Sequence, residues 1–300
     1  MDVFNVGSIN LDHVYQVPHF VQPGETLSAS HYQRGLGGKG LNQTVALHRA
    51  GSTVRHIGAV GQDDHTTLTA LQSLGLDTRG IDTVDASTGH AIIQVDTQAE
   101  NCIVIHPGAN ARIDQQRIAA QLHQHPDTSW LLLQNETNAT ADVFALTQRY
   151  QRRLAFNPAP AHADLAALPL DALALLIVNR IELQQLSAHD EINLGLQALQ
   201  RRCPNTEIVV TLGGNGAICA PAGAGSDAWQ RCPIIPVSAV DTTGAGDTFV
   251  GYYLSSRIRQ VPVATALQCA SAAAALCVSH AGAVDAIPEQ PAVQSLLESL

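Results

Sequence analysis

Basic residues are scarce at the start of the sequence, and lysine is almost absent from all of it. Residues 1–33 contain no Lys or Arg, so the positively charged start of a signal peptide is missing. The formal net charge is −10, which argues against a nucleic-acid or anionic-membrane partner, because both need a concentrated basic face. No apolar run approaches the ~18 residues of a membrane span. We therefore expect neither a membrane anchor nor a nucleic-acid partner.

Cysteine and histidine patterns that would hold metals or disulfides are also missing. The six cysteines show no C-x-x-C pairing, and the thirteen histidines include no H-x-x-x-H pair. We interpret the cysteines as reduced core thiols of a cytoplasmic protein. We interpret the histidines as scattered surface and loop residues.

Apolar residues, at 45% of the chain, suffice for a sizeable core, and strand-like runs alternate with helical ones. The predicted strands are 3–9, 54–61, 129–134, 152–158, 174–179 and 207–213. The predicted helices are 37–51, 65–75 and the segment from Asp247 to about His280. This alternation predicts βαβ units and a parallel sheet covered by helices on both faces.

Two stretches break the alternation and have the period-two pattern of half-buried strands. The first runs from "DHVYQVPHF" (12–20) through "TLSASHYQ" (26–33). The second is "GHAIIQVDTQAENCIVIHPG" (89–108). We predict a small antiparallel sheet inserted between the α/β units and suited to closing over a pocket. Because no linker or repeat is evident, we expect one domain, 1–300, with a lid formed by insertions at about 12–34 and 88–106.

The stretch "VDTTGAGDTF" (240–249) places a glycine-rich turn before a predicted helix. The amides of Gly244, Ala245 and Gly246 can point into one concavity at the positive end of that helix, which makes an anion hole. Asp247 beside it can accept a proton from a hydroxyl, as a general base does. An aspartate that only caps the helix is the alternative interpretation.

A second glycine cluster, "GLGGKG" (35–40), satisfies G-x-G-x-x-G. A dinucleotide fingerprint should directly follow the first strand, yet about 25 residues intervene here. A phosphate-binding P-loop fails as well, because Gly40 follows Lys39 where Ser or Thr is required. Lys39 is the only lysine in the chain, which indicates a charge placed for one site, although a surviving surface lysine is the alternative.

These residues resemble the ribokinase-like (phosphofructokinase-B type) carbohydrate kinases. Two family signatures are present, "GGKGLNQTVALHRAG" (37–51) and "DTTGAGDTF" (241–249). Further matches are "GSINLDH" (7–13), "PGETL" (23–27), "NPAPA" (157–161) and "VTLGGNGA" (210–217). The resemblance spans nearly the whole chain in order. It implies a three-layer α/β/α sandwich with a mostly parallel central sheet and a small β-sheet lid.

The resemblance also implies an ATP-dependent kinase that phosphorylates the primary hydroxyl of a small sugar, with D-ribose favoured. Asp247 would be the catalytic base, and Gly244, Ala245 and Gly246 would stabilise the transferred charge. The implied sugar ligands, besides Asp247, are Asn10, Asp12, Gly38, Lys39, Asn42 and Glu136. Carboxylates, amides and one ammonium suit an uncharged ligand rich in hydroxyls.

For the nucleotide, the resemblance implies binding by the loop that follows the strand at 207–213 and a contact of Ser271 on the adenine side. The implied ATP-binding residues are Asn179, Thr211, Leu212, Gly213, Gly214, Asn215, Gly216, Gly246 and Ser271. Asn179 and Glu182 form an N-x-x-E motif that would position Mg²⁺ largely through water. The acid that usually follows the asparagine is replaced here by Arg180, which puts the local metal or phosphate geometry in doubt.

The first acid of the late signature is implied to hold K⁺ rather than substrate. The implied ligands are the Asp241 carboxylate and carbonyls near Thr243, Cys277, His280, Gly282 and Ala286. An ordinary strand-end aspartate is the alternative for Asp241. A small sheet is marginal alone, so we also expect a homodimer formed through the lid.

Alternatives to ribose remain open, namely deoxyribose, fructose or a nucleoside. Asn10 and Asp12 favour a fully hydroxylated sugar. A nucleoside would need apolar cover for its base, for which the lid offers only Tyr15, Phe20 and Tyr32. A catalytically silent sugar-binding regulator is a candidate from a different class, against which the retained Asp247 counts.

Overall fold

The computed structural model describes residues 2–98, 100–125, 129–162, 165 and 167–300. In chain order, the strands are β1 (Asp2–Val6), β2 (Asn10–Gln16), β3 (His31–Gly37), β4 (Thr53–Gly61), β5 (Ile81–Val84), β6 (Gly89–Val95), β7 (Asn101–His106), β8 (Trp130–Gln134), β9 (Arg153–Asn157), β10 (Leu175–Asn179), β11 (Glu207–Thr211), β12 (Ala217–Ala220) and β13 (Gln230–Cys232). The helices are α1 (Lys39–Arg49), α2 (His65–Ser73), α3 (Gln115–His123), α4 (Thr140–Arg149), α5 (Arg180–Ser187), α6 (Ile192–Arg202), α7 (Ala245–Ile258), α8 (Val263–Val278) and α9 (Gln290–Glu298).

The larger of two sheets has nine strands in the order β13-β12-β11-β10-β9-β8-β1-β4-β5. Every neighbouring pair from β11 to β5 is parallel, whereas β12 and β13 run antiparallel to their neighbours. The prediction of a mostly parallel central sheet is confirmed. Parallel strands present their carboxyl ends at one edge, so the segments that follow them meet there.

Helices cover both faces of this sheet, because its strands are apolar on both sides. Leu132 of β8 belongs to a buried cluster that includes residues of α1, α2, α7, α8 and α9, while Leu131 and Leu133 belong to a second cluster with residues of α3, α4, α5 and α6. All three leucines are fully buried. The three-layer α/β/α arrangement is therefore confirmed, with one hydrophobic core on each side of the sheet.

The smaller sheet has four strands in the order β3-β2-β6-β7. Its two outer pairs are antiparallel, as predicted, but β2 and β6 pair in parallel. The parallel pair has a topological cause. Strands β2 and β6 follow β1 and β5, which point the same way in the central sheet, so both leave it in the same direction.

Two helix boundaries differ from those predicted. The late helical segment is two helices, α7 and α8, separated at Gln260, whose φ is +61°, and at Pro262, which caps α8. Proline lacks an N–H and cannot continue the preceding helix. The first helix starts at Lys39 rather than at 37, because Gly38 has a φ of +91° that helical residues do not adopt.

One cysteine and one histidine differ from the general prediction for their residue type. Cys102 is exposed in β7 and is not a core thiol, although all six cysteines are free. His56 is not a surface residue: it is 1% exposed and contacts Thr44 Oγ1 at 2.8 Å and Gly7 O at 3.1 Å. Burial lowers the pKa of His56 to about 4. Within the described ranges, no helix combines the length and apolar character that crossing a bilayer requires.

Candidate active site

Polar side chains occupy the carboxyl ends of four neighbouring parallel strands. Gln134 of β8 pairs in register with Asn157 of β9, and Asn179 of β10 pairs with Thr211 of β11. The helix α7 begins with Asp247 in its first turn, and this carboxylate is only 7% exposed. The edge of the sheet therefore carries a row of amide and hydroxyl groups near a buried acid.

Both carboxylate oxygens of Asp247 accept hydrogen bonds from consecutive residues of α1. Asn42 Nδ2 donates to Oδ2 at 2.9 Å, and Gln43 Nε2 donates to Oδ1 at 2.8 Å. The two helices can approach this closely because Gly251 faces Ala46, where a Cβ on the glycine would lie 2.4 Å from the alanine methyl carbon. A glycine in α7 thus brings the two signature segments together.

The turn before α7 leaves backbone amides available. Gly244 caps the helix with a φ of +75°, a left-handed conformation that glycine adopts without strain. Ala245 N–H donates to Thr242 O at a long 3.3 Å. Among the residues that the structure describes, the N–H groups of Gly244 and Gly246 have no hydrogen-bond acceptor. Two of the three predicted anion-hole amides are therefore unpaired beside Asp247, at the positive end of a helix.

Glu136, which follows β8, ties two predicted sugar-binding segments together. Its Oε2 accepts from Ser8 Oγ at 2.6 Å and from the backbone N–H of Lys39 at 2.9 Å. Ser8 Oγ in turn accepts from Gly40 N–H at 3.2 Å. The first glycine cluster is thereby fixed against the carboxyl ends of β1 and β8.

Asn10 and Asp12 lie on the same face of β2, because alternate residues of a strand point the same way. Asn10 Oδ1 accepts from Asn110 Nδ2 at 2.8 Å. Gly37, which pairs with Asn10 across the two strands, leaves room for the Asp12 side chain, since a Cβ on this glycine would lie 2.0 Å from Asp12 Oδ2. A cavity of about 490 Å³ opens beside these groups and is lined in part by Asn10, Glu136 and Ile105.

Three carboxylates act on the only ammonium side chain. Asp247 raises the pKa of Lys39 most, with further contributions from Glu136 and Glu182. Burial, assisted by Glu136 and Asp247, raises the pKa of Asp12 to about 6. Burial also raises the pKa of Glu136 and of Glu182. The region is acidic and poorly solvated, so it favours neutral ligands that donate hydrogen bonds over anionic ones.

Asn42 has an unused acceptor. Its Oδ1 is buried and has no hydrogen-bond partner within the described part of the chain. A buried amide oxygen without a donor is costly, at about 1–3 kcal/mol. A ligand hydroxyl at this position would remove that cost.

The predicted nucleotide loop follows β11. Residues 213–215 form one 3-10 turn, and Leu212 N–H donates to Gly216 O at 2.8 Å. Gly213 and Gly214 are exposed, and a Cβ on either would meet no atom within 4 Å. Ser271 lies in α8 and is partly exposed. This side of the site offers open backbone rather than buried side chains.

Asn179 and Glu182 form a reciprocal capping box at the start of α5. Asn179 Oδ1 accepts from Glu182 N–H at 2.9 Å, and the Glu182 carboxylate accepts from Asn179 N–H at 2.8 Å and from Asn179 Nδ2 at 2.9 Å. Each Glu182 oxygen already has one donor, which fits a metal held through water rather than directly. No cluster of three metal-ligating side chains occurs among the residues placed here. Arg180 is exposed at the first position of α5.

Asp241 joins the anion-hole turn to the segment after α8. Its Oδ1 accepts from Thr243 N–H and its Oδ2 from Gly282 N–H, both at 2.9 Å. The predicted carbonyl ligands are thus carried by the turn before α7 and by the end of α8 with the loop that follows it, and the Asp241 carboxylate joins these two segments. Cys277 O already accepts from His280 N–H at 3.1 Å. The donor set of a carboxylate and backbone carbonyls suits a monovalent cation.

Several polar residues at the site were given no role from the sequence, among them Ser8, Gln43 and Asn110. Gln43 directly follows Asn42 in the first signature, so its position in the motif was the available signal. Ser8 lies beside the quoted Asn10 in the same way. Asn110 had no such signal, because its partner Asn10 is 100 residues away in the chain.

Comparison with known proteins agrees with this geometry. Residues 2–290 match the pfkB family of carbohydrate kinases. Ribokinase of Haemophilus influenzae is 33% identical over 302 residues, which cover 98% of this chain and 97% of the relative. Deoxyribokinase of Salmonella typhi is 29% identical over 298 residues and 96% of each chain.

Among solved structures, Arabidopsis thaliana ribokinase complexed with ribose and ATP has a TM-score of 0.83 and 26% identity, covering 99% of this chain and 98% of that one. The match extends over both sheets and both signature turns. The chain therefore belongs to the pfkB family of carbohydrate kinases and is an ATP-dependent sugar kinase.

Proposed function

We propose that this kinase transfers the γ-phosphoryl group of ATP to the 5-hydroxyl of D-ribose, giving D-ribose 5-phosphate. One observation carries the proposal. Asp247 is held by Asn42 and Gln43 directly beside the unpaired amides of Gly244 and Gly246. A base and an anion hole thus stand together next to a pocket of hydroxyl-binding groups.

The sugar would lie between β2 and the first turn of α1. Asp12 and Glu136 can accept hydrogen bonds from ring hydroxyls, and Lys39 can donate one. Asn42 Oδ1, buried without a partner, accepts another. The primary hydroxyl then reaches Asp247, which takes its proton as the oxygen attacks phosphorus.

The phosphoryl group passes through a loose transition state, so positioning and charge stabilisation dominate over proton abstraction. The amides of Gly244 and Gly246 would stabilise the equatorial oxygens of the transferred group. The exposed backbone at 213–215 would take part of the nucleotide at the adjacent strand end. Ser271 on α8 is proposed on its adenine side.

Two cations complete the proposal. Asn179 and Glu182 would hold Mg²⁺ through water, and bound Mg²⁺ supplies charge neutralisation for the phosphates. Asp241 and carbonyls near Thr243, Cys277, His280, Gly282 and Ala286 would hold K⁺. A cation there would stiffen the two segments that Asp241 already joins.

Release of ADP in a coupled assay, with a panel of pentoses, hexoses and nucleosides, tests the proposal. We expect the highest kcat/KM with D-ribose. A higher value with another sugar would replace ribose as the substrate but keep the kinase. If no sugar stimulates turnover while ribose raises Tm, the chain is a sugar-binding regulator.

Deoxyribose is the second candidate, because a relative at 29% identity carries that activity in its name. Asp12 favours ribose, since a buried carboxylate left without its hydroxyl donor costs binding energy. Nucleosides are less favoured. Tyr15 and Tyr32 pack on each other, with ring centroids 4.9 Å apart, on the opposite face of the small sheet from Asn10 and Asp12.

We propose that the four-stranded sheet is the lid of a single domain and also forms the interface of a homodimer. All of β7 is exposed, including Val104 at 65% and Ile103 at 48%. An unpaired, apolar edge strand is a surface that a second copy can cover. A monomeric mass by light scattering would remove the dimer. A cytoplasmic location stays a prediction supported by the six free cysteines.

A further inference from the structure

A buried chain of side-chain amides lies beneath Asp247. Gln43 Nε2 donates to Asp247 Oδ1 at 2.8 Å and to Asn157 Oδ1 at 3.0 Å. Gln134 Nε2 donates to Gln43 Oε1 at 2.6 Å and to Asn5 Oδ1 at 2.9 Å. The four amide residues are between 0% and 7% exposed. They come from α1 and from three adjacent strands, β8, β9 and β1.

Backbone carbonyls fix the direction of every hydrogen bond in this chain. Asn5 Nδ2 donates to Gly40 O at 2.7 Å, so its oxygen must face Gln134. Asn157 Nδ2 donates to Ile177 O at 2.9 Å, so its oxygen must face Gln43. A carbonyl can only accept, and neither asparagine can therefore flip its amide without losing a bond. Gln43 is left with one orientation, in which its NH₂ group points at Asp247.

We propose that Gln43 is a positioning residue for the catalytic base, acting through the amide chain that anchors it to the central sheet. The inference rests on the proposed role of Asp247. The other donor to that carboxylate, Asn42, is held less firmly, because its buried side-chain oxygen Oδ1 has no hydrogen-bond partner within the described residues. Gln43 is fixed beforehand by Gln134 and Asn157. It holds Oδ1 of the base in place before the hydroxyl arrives.

The variant Gln43→Met tests this, because it keeps the length of the side chain and removes its hydrogen bonds. We expect kcat with the best sugar of the panel to fall about 10- to 100-fold, because a small displacement of a catalytic group lowers the rate by about that factor. The sugar KM should change less than about threefold, because Gln43 does not face the sugar pocket. Gln134→Met, one bond further from the base, should lower kcat less than Gln43→Met.

A double-mutant cycle separates positioning from general support of the fold. In an Asp247→Asn background, Gln43→Met should lower kcat by less than about twofold further, since there is no base left to position. Gln200→Met is the matched control. This partly buried glutamine on α6 donates to Ala224 O at 3.1 Å and accepts from Trp229 Nε1 at 2.9 Å, far from the site. It should lower Tm and leave kcat unchanged.

Two results would overturn the inference. One is a folded Gln43→Met protein whose kcat stays within twofold of wild type. The other is a loss of kcat that is as large in the Asp247→Asn background as in the wild type. If Gln43→Met does not fold, as judged by thermal unfolding, Gln134→Met and Asn157→Leu carry the same test. A wild-type protein inactive with every sugar would refute the proposed function instead.

Discussion

The two sides of the proposed active site are built differently. On the proposed sugar side, the partly buried side chains of Asp12, Lys39 and Glu136 are charged and poorly solvated, and Glu136 already accepts hydrogen bonds from Ser8 and from the backbone of Lys39. On the proposed nucleotide side, exposed glycines such as Gly213 and Gly214 offer backbone with open space above it. The first side is dense and charged, and the second is open and almost free of side chains.

The difference follows from the ligands. A sugar is neutral, and its hydroxyls both donate and accept, so recognition needs side chains with a fixed orientation. A phosphate accepts hydrogen bonds from any direction, so unpaired amides at a turn and at a helix start suffice. Substitutions should therefore affect the two substrates very differently, according to the side on which they fall.

Asp247 stands where the two sides meet, and its loss should have the largest effect. Asp247→Asn keeps the shape and removes the base, so we expect kcat to fall by about 10² to 10⁴. Sugar affinity measured by calorimetry should be nearly unchanged, because the other hydroxyl-binding groups remain. Turnover comparable to wild type would show that Asp247 is not the base and only ties α7 to α1 through Asn42 and Gln43.

A matched pair of glycine substitutions compares the two sides directly. In Gly37→Ala, the new Cβ would lie 2.0 Å from Asp12 Oδ2 and displace that carboxylate. We expect the sugar KM to rise about 10- to 100-fold, because the loss of one hydrogen bond to a charged group weakens binding by about that factor. The ATP KM should be unchanged.

Gly214→Ala is the control on the nucleotide side, where the new Cβ meets no atom within 4 Å. The sugar KM should stay within about threefold of wild type, as for a substitution remote from the sugar pocket. Equal effects of the two alanines on the sugar KM would contradict the contrast between a dense and an open side.

Structure that is decided locally was the easiest to predict from the sequence. The turn at 241–247 depends on glycines and on residues next to them in the chain, whereas the helix predicted from 37 begins only at Lys39. The alternation of strands and helices likewise predicted the three layers and the parallel sheet. The two signature segments could therefore be recognised, and the structure brings them together at Asp247.

Contacts between distant segments could not be read in this way. Asn110 reaches Asn10 across 100 residues, and Gln134 reaches Gln43 across 91. These asparagines and glutamines follow no periodic pattern in the sequence, because each contributes a single contact from one position in the fold. The parallel pairing of β2 with β6 was missed for a related reason, since it depends on where two insertions leave the central sheet.

The partly buried Asp12 predicts that sugar binding depends on pH. Burial raises the pKa of Asp12 to about 6, so this carboxyl becomes protonated as the pH falls from 7 to 5 and loses its accepting form. At pH 5 about one molecule in eleven still carries the ionised carboxylate, so the sugar KM should be about tenfold higher than at pH 7. Asp12→Asn should have a raised sugar KM that no longer varies over this range. A sugar KM independent of pH in the wild type would contradict the shift.

The smallest expected effect concerns Asp241, which touches neither substrate in the proposal. Its carboxylate holds Thr243 N–H and Gly282 N–H at 2.9 Å, and so joins the anion-hole turn to the loop after α8. If a monovalent cation binds between these loops, activity should be higher in K⁺ than in Na⁺, and Asp241→Ala should reduce activity and abolish the difference. Asp241→Asn is the matched control, since it keeps one oxygen acceptor but removes the charge. Equal rates of the wild type in the two salts would mean that Asp241 orders the turn by its two hydrogen bonds alone, with no cation contributing.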